Sequence, residues 1–371
     1  MRMKIFGFGT MRLPTLPDGT IDQEQFRQMV DLFLSRGYTY FDTAYPYHQG
    51  KSEVAVRECL VKRYPREHFQ LADKLPPWNI RTAADVASIF QKQLDKCGVE
   101  YFDYYLLHNV STDTNRTFES CNCYEFLKTI KADGRAKHIG FSLHDKPELL
   151  DQILTEHPEM DFVQLQINCL DWDDPTVQAR RCYEIARKHG KPILVMEPLK
   201  GGGLANLPPA AQEELDKLPN PDTGVHYGLR YCAGLEGVLM ILSGMSDLKQ
   251  MQQNLDLMDH CPPLTEQEHA ALTRAMQIMR QSGAIACTTC RYCENTCPKD
   301  IAIPELFSAY NNVKQFGGRN FPDMFYRVYT KDRAKASECI ACGQCMTHCP
   351  QHLEIPKLMK LVAAAFEKKQ A

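Results

Sequence analysis

Cysteine is where this sequence shows its chemistry most openly. Eight of its sixteen cysteines fall between residues 287 and 349, in two runs of identical spacing. The first is Cys287-x₂-Cys290-x₂-Cys293-x₃-Cys297-Pro298, the second Cys339-x₂-Cys342-x₂-Cys345-x₃-Cys349-Pro350. A constant offset of 52 residues relates them, and it also carries Ile303 onto Ile355, Pro304 onto Pro356 and Leu306 onto Leu358. Three thiolates this close let one tight turn wrap three corners of an iron–sulfur cubane. Zinc is the competing reading. It favours paired C-x₂-C knuckles across a longer loop and has no use for a third cysteine or a trailing proline. The spacing predicts two [4Fe–4S] clusters.

A second group of reactive side chains lies nearer the start: Asp42 and Tyr47 in FDTAYPYHQGKSE, Lys74 closing QLADK and His108 closing YYLLH. Taken singly, each has a plain structural role as a capping Asp, a surface Tyr, a paired Lys or a core His. Together they follow successive apolar runs, which brings them onto one face if those runs are neighbouring barrel strands.

The elements that must position them can be read from the hydrophobic pattern. Eight short apolar runs (Ile5–Thr10, Tyr38–Asp42, Phe69–Lys74, Asp103–His108, His138–Ser142, Phe162–Gln166, Pro192–Met196 and Val238–Ser243) alternate with amphipathic segments such as Gln23–Ser35 and Pro175–His189. This predicts an α/β chain, a (β/α)₈ TIM barrel over residues 1–262, with an open doubly wound sheet as the alternative. Residues 109–123 read as a polar insertion after the fourth strand, and 204–223 as a long loop with a short helix. Pro262–Pro263 and a helix near 265–282 then open a small, mostly helical ferredoxin-like domain over 263–371.

The cysteine region resembles the two-cluster bacterial-type ferredoxins. In those, the fourth cysteine of each run ligates the other cluster. The resemblance implies one cluster on Cys287, Cys290, Cys293 and Cys349, and another on Cys339, Cys342, Cys345 and Cys297. The 41-residue connection and the helical patterns Ile303–Lys314 and Ile355–Lys368 suggest the all-helical variety.

Residues 1–260 resemble the aldo/keto reductases, whose catalytic Asp, Tyr, Lys and His fall on Asp42, Tyr47, Lys74 and His108. A phenol of ordinary pKa near 10 donates its proton poorly at neutral pH unless a neighbouring ammonium stabilises the phenolate. The resemblance therefore makes Tyr47 the proton donor, assisted by Lys74 and Asp42, with His108 orienting the carbonyl. It implies NAD(P)H, held by Ser142 and Gln164 at the carboxamide, Gly201, Gly202 and Gly203 at the pyrophosphate, and Gln253 with Asn254 at the adenine. The chain also departs from the family. Leu143 replaces a carboxamide-binding Asn, Met196 replaces the stacking aromatic, and Gly244 and Gln250 stand where basic residues usually meet the NADP 2′-phosphate. Those last two changes point toward NADH or another bound cofactor.

Composition sets the remaining bounds. A net charge of −3 favours neither nucleic acid nor an anionic membrane, and no apolar run is long enough to span a bilayer. The opening MRMKIFGFGT is not a signal peptide, so a cytoplasmic protein is expected. The other cysteines (Cys59, Cys97, Cys121, Cys123, Cys169, Cys182, Cys232 and Cys261) read as small buried hydrophobes, except Cys121 and Cys123 in their polar stretch. Arg12 reads as a solvated surface residue, with anchoring of an anionic substrate as its second role.

Hydride moves two electrons at once and a cubane moves one. Three functions follow, in order of preference. The barrel reduces or oxidises a small carbonyl or alcohol with a nicotinamide while the clusters serve a redox partner protein. Alternatively, the clusters feed single electrons to a flavin or substrate in the barrel. In the third, the chain is a non-catalytic electron carrier or redox-sensing subunit.

Overall fold

The computed structural model describes residues 4–317 and 322–367. Eight strands form: β1 (Phe6–Gly9), β2 (Tyr40–Asp42), β3 (Gln70–Leu75), β4 (Phe102–Val110), β5 (Ala136–Leu143), β6 (Phe162–Gln166), β7 (Ile193–Met196) and β8 (Val238–Gly244). They close into a barrel in chain order, every pair parallel. The open sheet is excluded by the β1–β8 pairing, in which Gly9 lies opposite Gly244.

Side chains on a strand alternate between two faces. Tyr40, Ala72, Tyr104, Leu106, Phe162, Leu194, Met240 and Leu242 form one buried cluster that fills the barrel. Fitting three aromatic rings there requires small residues beside them. A Cβ on Gly140 would lie 2.4 Å from the Phe162 carbonyl oxygen, so only glycine is tolerated. One period further along the same strands stand Asp42, Lys74, His108, Gln164 and Met196. The apolar filling thus forms the floor of a polar layer at the C-terminal ends, where barrels place their chemistry.

Two regions differ from the sequence reading. The polar segment 109–123 is regular rather than loop-like: β4 runs on to Val110 and a helix spans Thr112–Ser120, before the helix Cys123–Ala132. Ser111 and Thr114 cap it reciprocally, Phe118 is fully buried, and Tyr124 donates to Asn115 at 2.6 Å. Phe118 is its one apolar residue, so the segment reads in the sequence as uniformly polar. Cys121 and Cys123 are accordingly buried, contrary to expectation. The helix expected over 175–189 is confined to Ala179–Lys188, because Asp174 accepts the Thr176 and Val177 amides and Gln178 adopts a left-handed φ of 52°.

The chain forms two compact units, Met1–Pro198 with Leu229–Pro263, and Leu199–Gly228 with Leu264–Ala371. The second is helical, built on Pro209–Asp216, Glu266–Gln281, Ile303–Phe316, Pro322–Tyr329 and Ile355–Phe366. Lys368, the expected end of the last helix, lies outside the described residues. Ile301, Ile303, Leu306, Phe307, Ile355, Met359 and Val362 form its core, with Cys293 and Cys345 among them. Among the described residues no helix is long and apolar enough to cross a membrane.

Candidate functional site

Lys74 is fully buried, which is costly for an ammonium unless it is paired. Its Nζ donates to Asp42 Oδ1 at 2.5 Å and to the Thr43 carbonyl at 2.7 Å. It also lies 4.9 Å from the centroid of the Tyr47 ring. The β2–β3 register creates this arrangement: Asp42 pairs with Ala72, so Lys74 stands one period further on, facing the same interior. Burial raises the Asp42 carboxyl above its usual range, and the Lys74 cation opposes that rise. The His108 ring meets Tyr47 edge-on at 6.0 Å between centroids. Burial holds His108 well below the ordinary imidazole value, with Lys74 and His144 adding to the effect. The four residues read from the sequence are therefore gathered at one place, with Lys74 hydrogen-bonded to Asp42 and His108 held below its ordinary value.

Sequence reasoning missed two neighbours. Trp78 stands 5.7 Å from the His108 ring, on the turn that follows β3. Asn109 is buried with a left-handed φ of 59°, and its backbone N–H donates to Ser142 Oγ at 2.8 Å. A non-glycine residue with positive φ directly after a catalytic-type histidine is visible only as a dihedral, never as a residue type.

The expected nicotinamide contacts divide into several groups. Ser142 and Gln164 are opposite one another across β5 and β6, both buried. Gln164 donates to the Met196 sulfur at 3.6 Å, while its own Oε1 is buried with no hydrogen-bond partner among the described residues. A buried orphan acceptor is costly, and the N–H₂ of a nicotinamide carboxamide would satisfy it. Asn254 is buried and Gln253 exposed, on the helix Leu248–His260. Gln250 spends its amide on the turn that starts this helix, bonding Ser246 N and Asp247 Oδ2 at 2.9 Å each. Arg12 is not a free surface residue; it is half-buried, 3.8 Å from Glu197, with its stem against Gly244. Gly201 to Gly203 belong to the second unit. There Gly201 leaves no room for a Cβ, because one would lie 2.5 Å from the Thr288 carbonyl oxygen.

In the second unit the cysteines form two groups. Burial raises the Cys293 thiol strongly, and its thiol neighbours, largest first, are Cys290, Cys287, Cys349 and Cys345. Cys345 is pushed up to about 11 by burial, then by Cys339, Cys297 and Cys342. Cys297, Cys339, Cys342 and Cys345 line a common pocket. The 52-residue repeat also appears in the backbone. Left-handed residues occur in matching pairs: Thr289 and Ala341, Arg291 and Gly343, Asp300 and His352. Ile303 N to Ile301 O and Ile355 N to Leu353 O both measure 2.8 Å. Alternating right- and left-handed residues turn successive N–H groups toward one concavity, an anion-binding nest. Nests lined with thiols fit an anionic iron–sulfur cube better than a zinc ion.

A model of the aldo/keto reductase family matches residues 6–277. The chain belongs to that family, whose members are oxidoreductases. A model of the 4Fe-4S dicluster domain matches residues 286–353. Among curated proteins, a probable aldo-keto reductase of Glycine max is 30% identical over 160 residues, covering 41% of this chain and 44% of that one. An aldo-keto reductase of Bombyx mori is 25% identical over 288 residues, covering 73% and 88%. The chain thus spans less than half the length of the soybean relative and most of the silkworm one. Among solved structures, an aldo-keto reductase of Bacillus halodurans in its holo form shares the fold at a TM-score of 0.61 and 23% identity, over 73% of this chain and 91% of that one. One from Klebsiella pneumoniae in complex with NADPH gives 0.58 at 20% identity, over 73% and 90%.

Proposed function

We propose that the barrel interconverts a small carbonyl compound and its alcohol using NAD(P)H, and that the C-terminal domain carries two [4Fe–4S] clusters for electron transfer with a redox partner. The observation that carries the barrel reading is the buried Lys74 cation, fixed by Asp42 and set against the Tyr47 ring.

A bound nicotinamide supplies the hydride. Tyr47 gives its phenolic proton to the carbonyl oxygen, and Lys74 stabilises the phenolate left behind. Asp42 and the Thr43 carbonyl hold the ammonium in place, so no reorganisation is needed when charge appears. His108, kept neutral, donates an N–H to the same oxygen without competing as an acid. In the oxidative direction the same groups remove the alcohol proton.

Gln164, with its unsatisfied carbonyl, and Ser142 support a nicotinamide as the cofactor. The uncharged Gly244 and the engaged Gln250 favour NADH over NADPH. The family's catalytic residues in contact, together with an acceptor that suits a carboxamide, favour this reading over flavin use or a purely electron-carrying role.

The test is an anaerobically purified protein assayed with NADH and NADPH against a panel of aldehydes, ketones and keto acids. Tyr47→Phe is expected to lower turnover on the order of 10²–10⁴-fold. Unchanged function in that variant would leave only the electron-carrier reading.

A further inference from the structure

Lys200 opens the segment that joins the C-terminal unit, and its setting is unusual. It is 7% exposed and has a left-handed φ of 49°. Gly201 and Gly202 follow at 64° and 92°, which glycine adopts freely. A lysine does not, so the strain at Lys200 is sustained by what its side chain reaches. Its Nζ donates to Gln351 Oε1 at 3.1 Å, two residues beyond Cys349. On the other side, Gly201 lies against the backbone of Thr288, between Cys287 and Cys290. Residues 200–201 therefore touch both chain segments that supply the first cysteine set.

We propose that Lys200 is a positioning residue that sets the reduction potential of the cluster held by Cys287, Cys290, Cys293 and Cys349, and that reduction of this cluster in turn tightens segment 199–203. The inference rests on the cluster reading above. Reduction brings in one electron, forms and breaks no bond at Lys200, and adds one negative charge beside a buried cation. Charge and hydrogen bonding around the sulfurs are established means of tuning such potentials. Linkage makes the effect reciprocal: a cation that favours the reduced state is held more firmly by it. No residue of segment 199–203 is among those lining the pocket of the second cysteine set, so that set serves as an internal control.

The experiment is an anaerobic dithionite titration of the holoprotein with redox mediators, followed by electron paramagnetic resonance. Lys200→Gln is expected to weaken reduction of one cluster at least tenfold, a 59 mV shift to lower potential for one electron, and to leave the other unmoved. Lys200→Arg should stay near wild type. Gln351→Glu, which neutralises the cation without removing it, should shift the same midpoint the same way and carries the test if Lys200→Gln assembles poorly. Backbone amides of 199–203 should exchange more slowly in the reduced wild type than in the oxidised one. Unmoved midpoints in Lys200→Gln and Gln351→Glu, or equal shifts in the Gln and Arg variants, would overturn the proposal. A wild-type protein without cluster signals would overturn the cluster reading as well, and the two failures are told apart by iron content.

Discussion

The Lys74 ammonium and the Asp42 carboxylate meet at 2.5 Å with side-chain exposures of 0% and 4%. A pair this deep contributes little net stability, because desolvating two ions offsets most of their attraction, yet breaking it strands a buried charge. Lys74→Met is therefore expected to destabilise the fold by about 3–5 kcal/mol. Lys74→Met combined with Asp42→Leu should recover most of that loss and none of the activity. Urea unfolding of the single and double variants decides it; equal stabilities would show that the carboxylate is not stranded.

His108 is held below its ordinary pKa by burial first, then by Lys74 and His144. Lowering a histidine's pKa extends its neutral form to more acidic pH. The kcat/KM profile should therefore show no His108 limb between about pH 5 and pH 8. A limb near neutrality that disappears in His108→Gln would show the imidazole to be charged in the resting enzyme.

Gln164 has a buried carbonyl without a partner among the described residues. If a nicotinamide satisfies it, Gln164→Ala should weaken NADH binding by about 1–3 kcal/mol, roughly 5- to 150-fold, by fluorescence titration. Affinity that holds or improves in the variant would mean that the orphan oxygen is relieved in some other way.

Thiols of the second run, Cys349 and then Cys345, act on Cys293 of the first, and Cys297 of the first run lines one pocket with Cys339, Cys342 and Cys345. Cys297→Ala and Cys342→Ala should then damage one cluster, and Cys290→Ala and Cys349→Ala the other, each lowering iron from about eight toward about four per chain. The residual paramagnetic spectra should match within each pair. Spectra matching instead within each run would assign all four cysteines of a run to one cube.

Much of this is legible in the sequence. The eight strands lie where the apolar runs placed them, because a buried parallel strand must be apolar and short and is punctuated by turn residues. The 52-residue repeat was readable because residue type and spacing recur together in the two cysteine runs. The helix Thr112–Ser120 was not, since Phe118 is its one apolar residue and the segment reads as uniformly polar. Nor was the burial of Cys121 and Cys123, which depends on how that helix packs.

By itself, the sequence determined the residue types at the strand ends, the two cysteine runs and the order of the elements. All three are local properties, set by period, spacing and side-chain chemistry. Tertiary structure alone decided that the sheet closes, that Lys74 faces Asp42 and Tyr47, that Gln164 keeps an unsatisfied oxygen and that Lys200 reaches Gln351. Each of these depends on register between strands far apart in the chain or on a single residue's backbone dihedral, and a linear pattern carries neither.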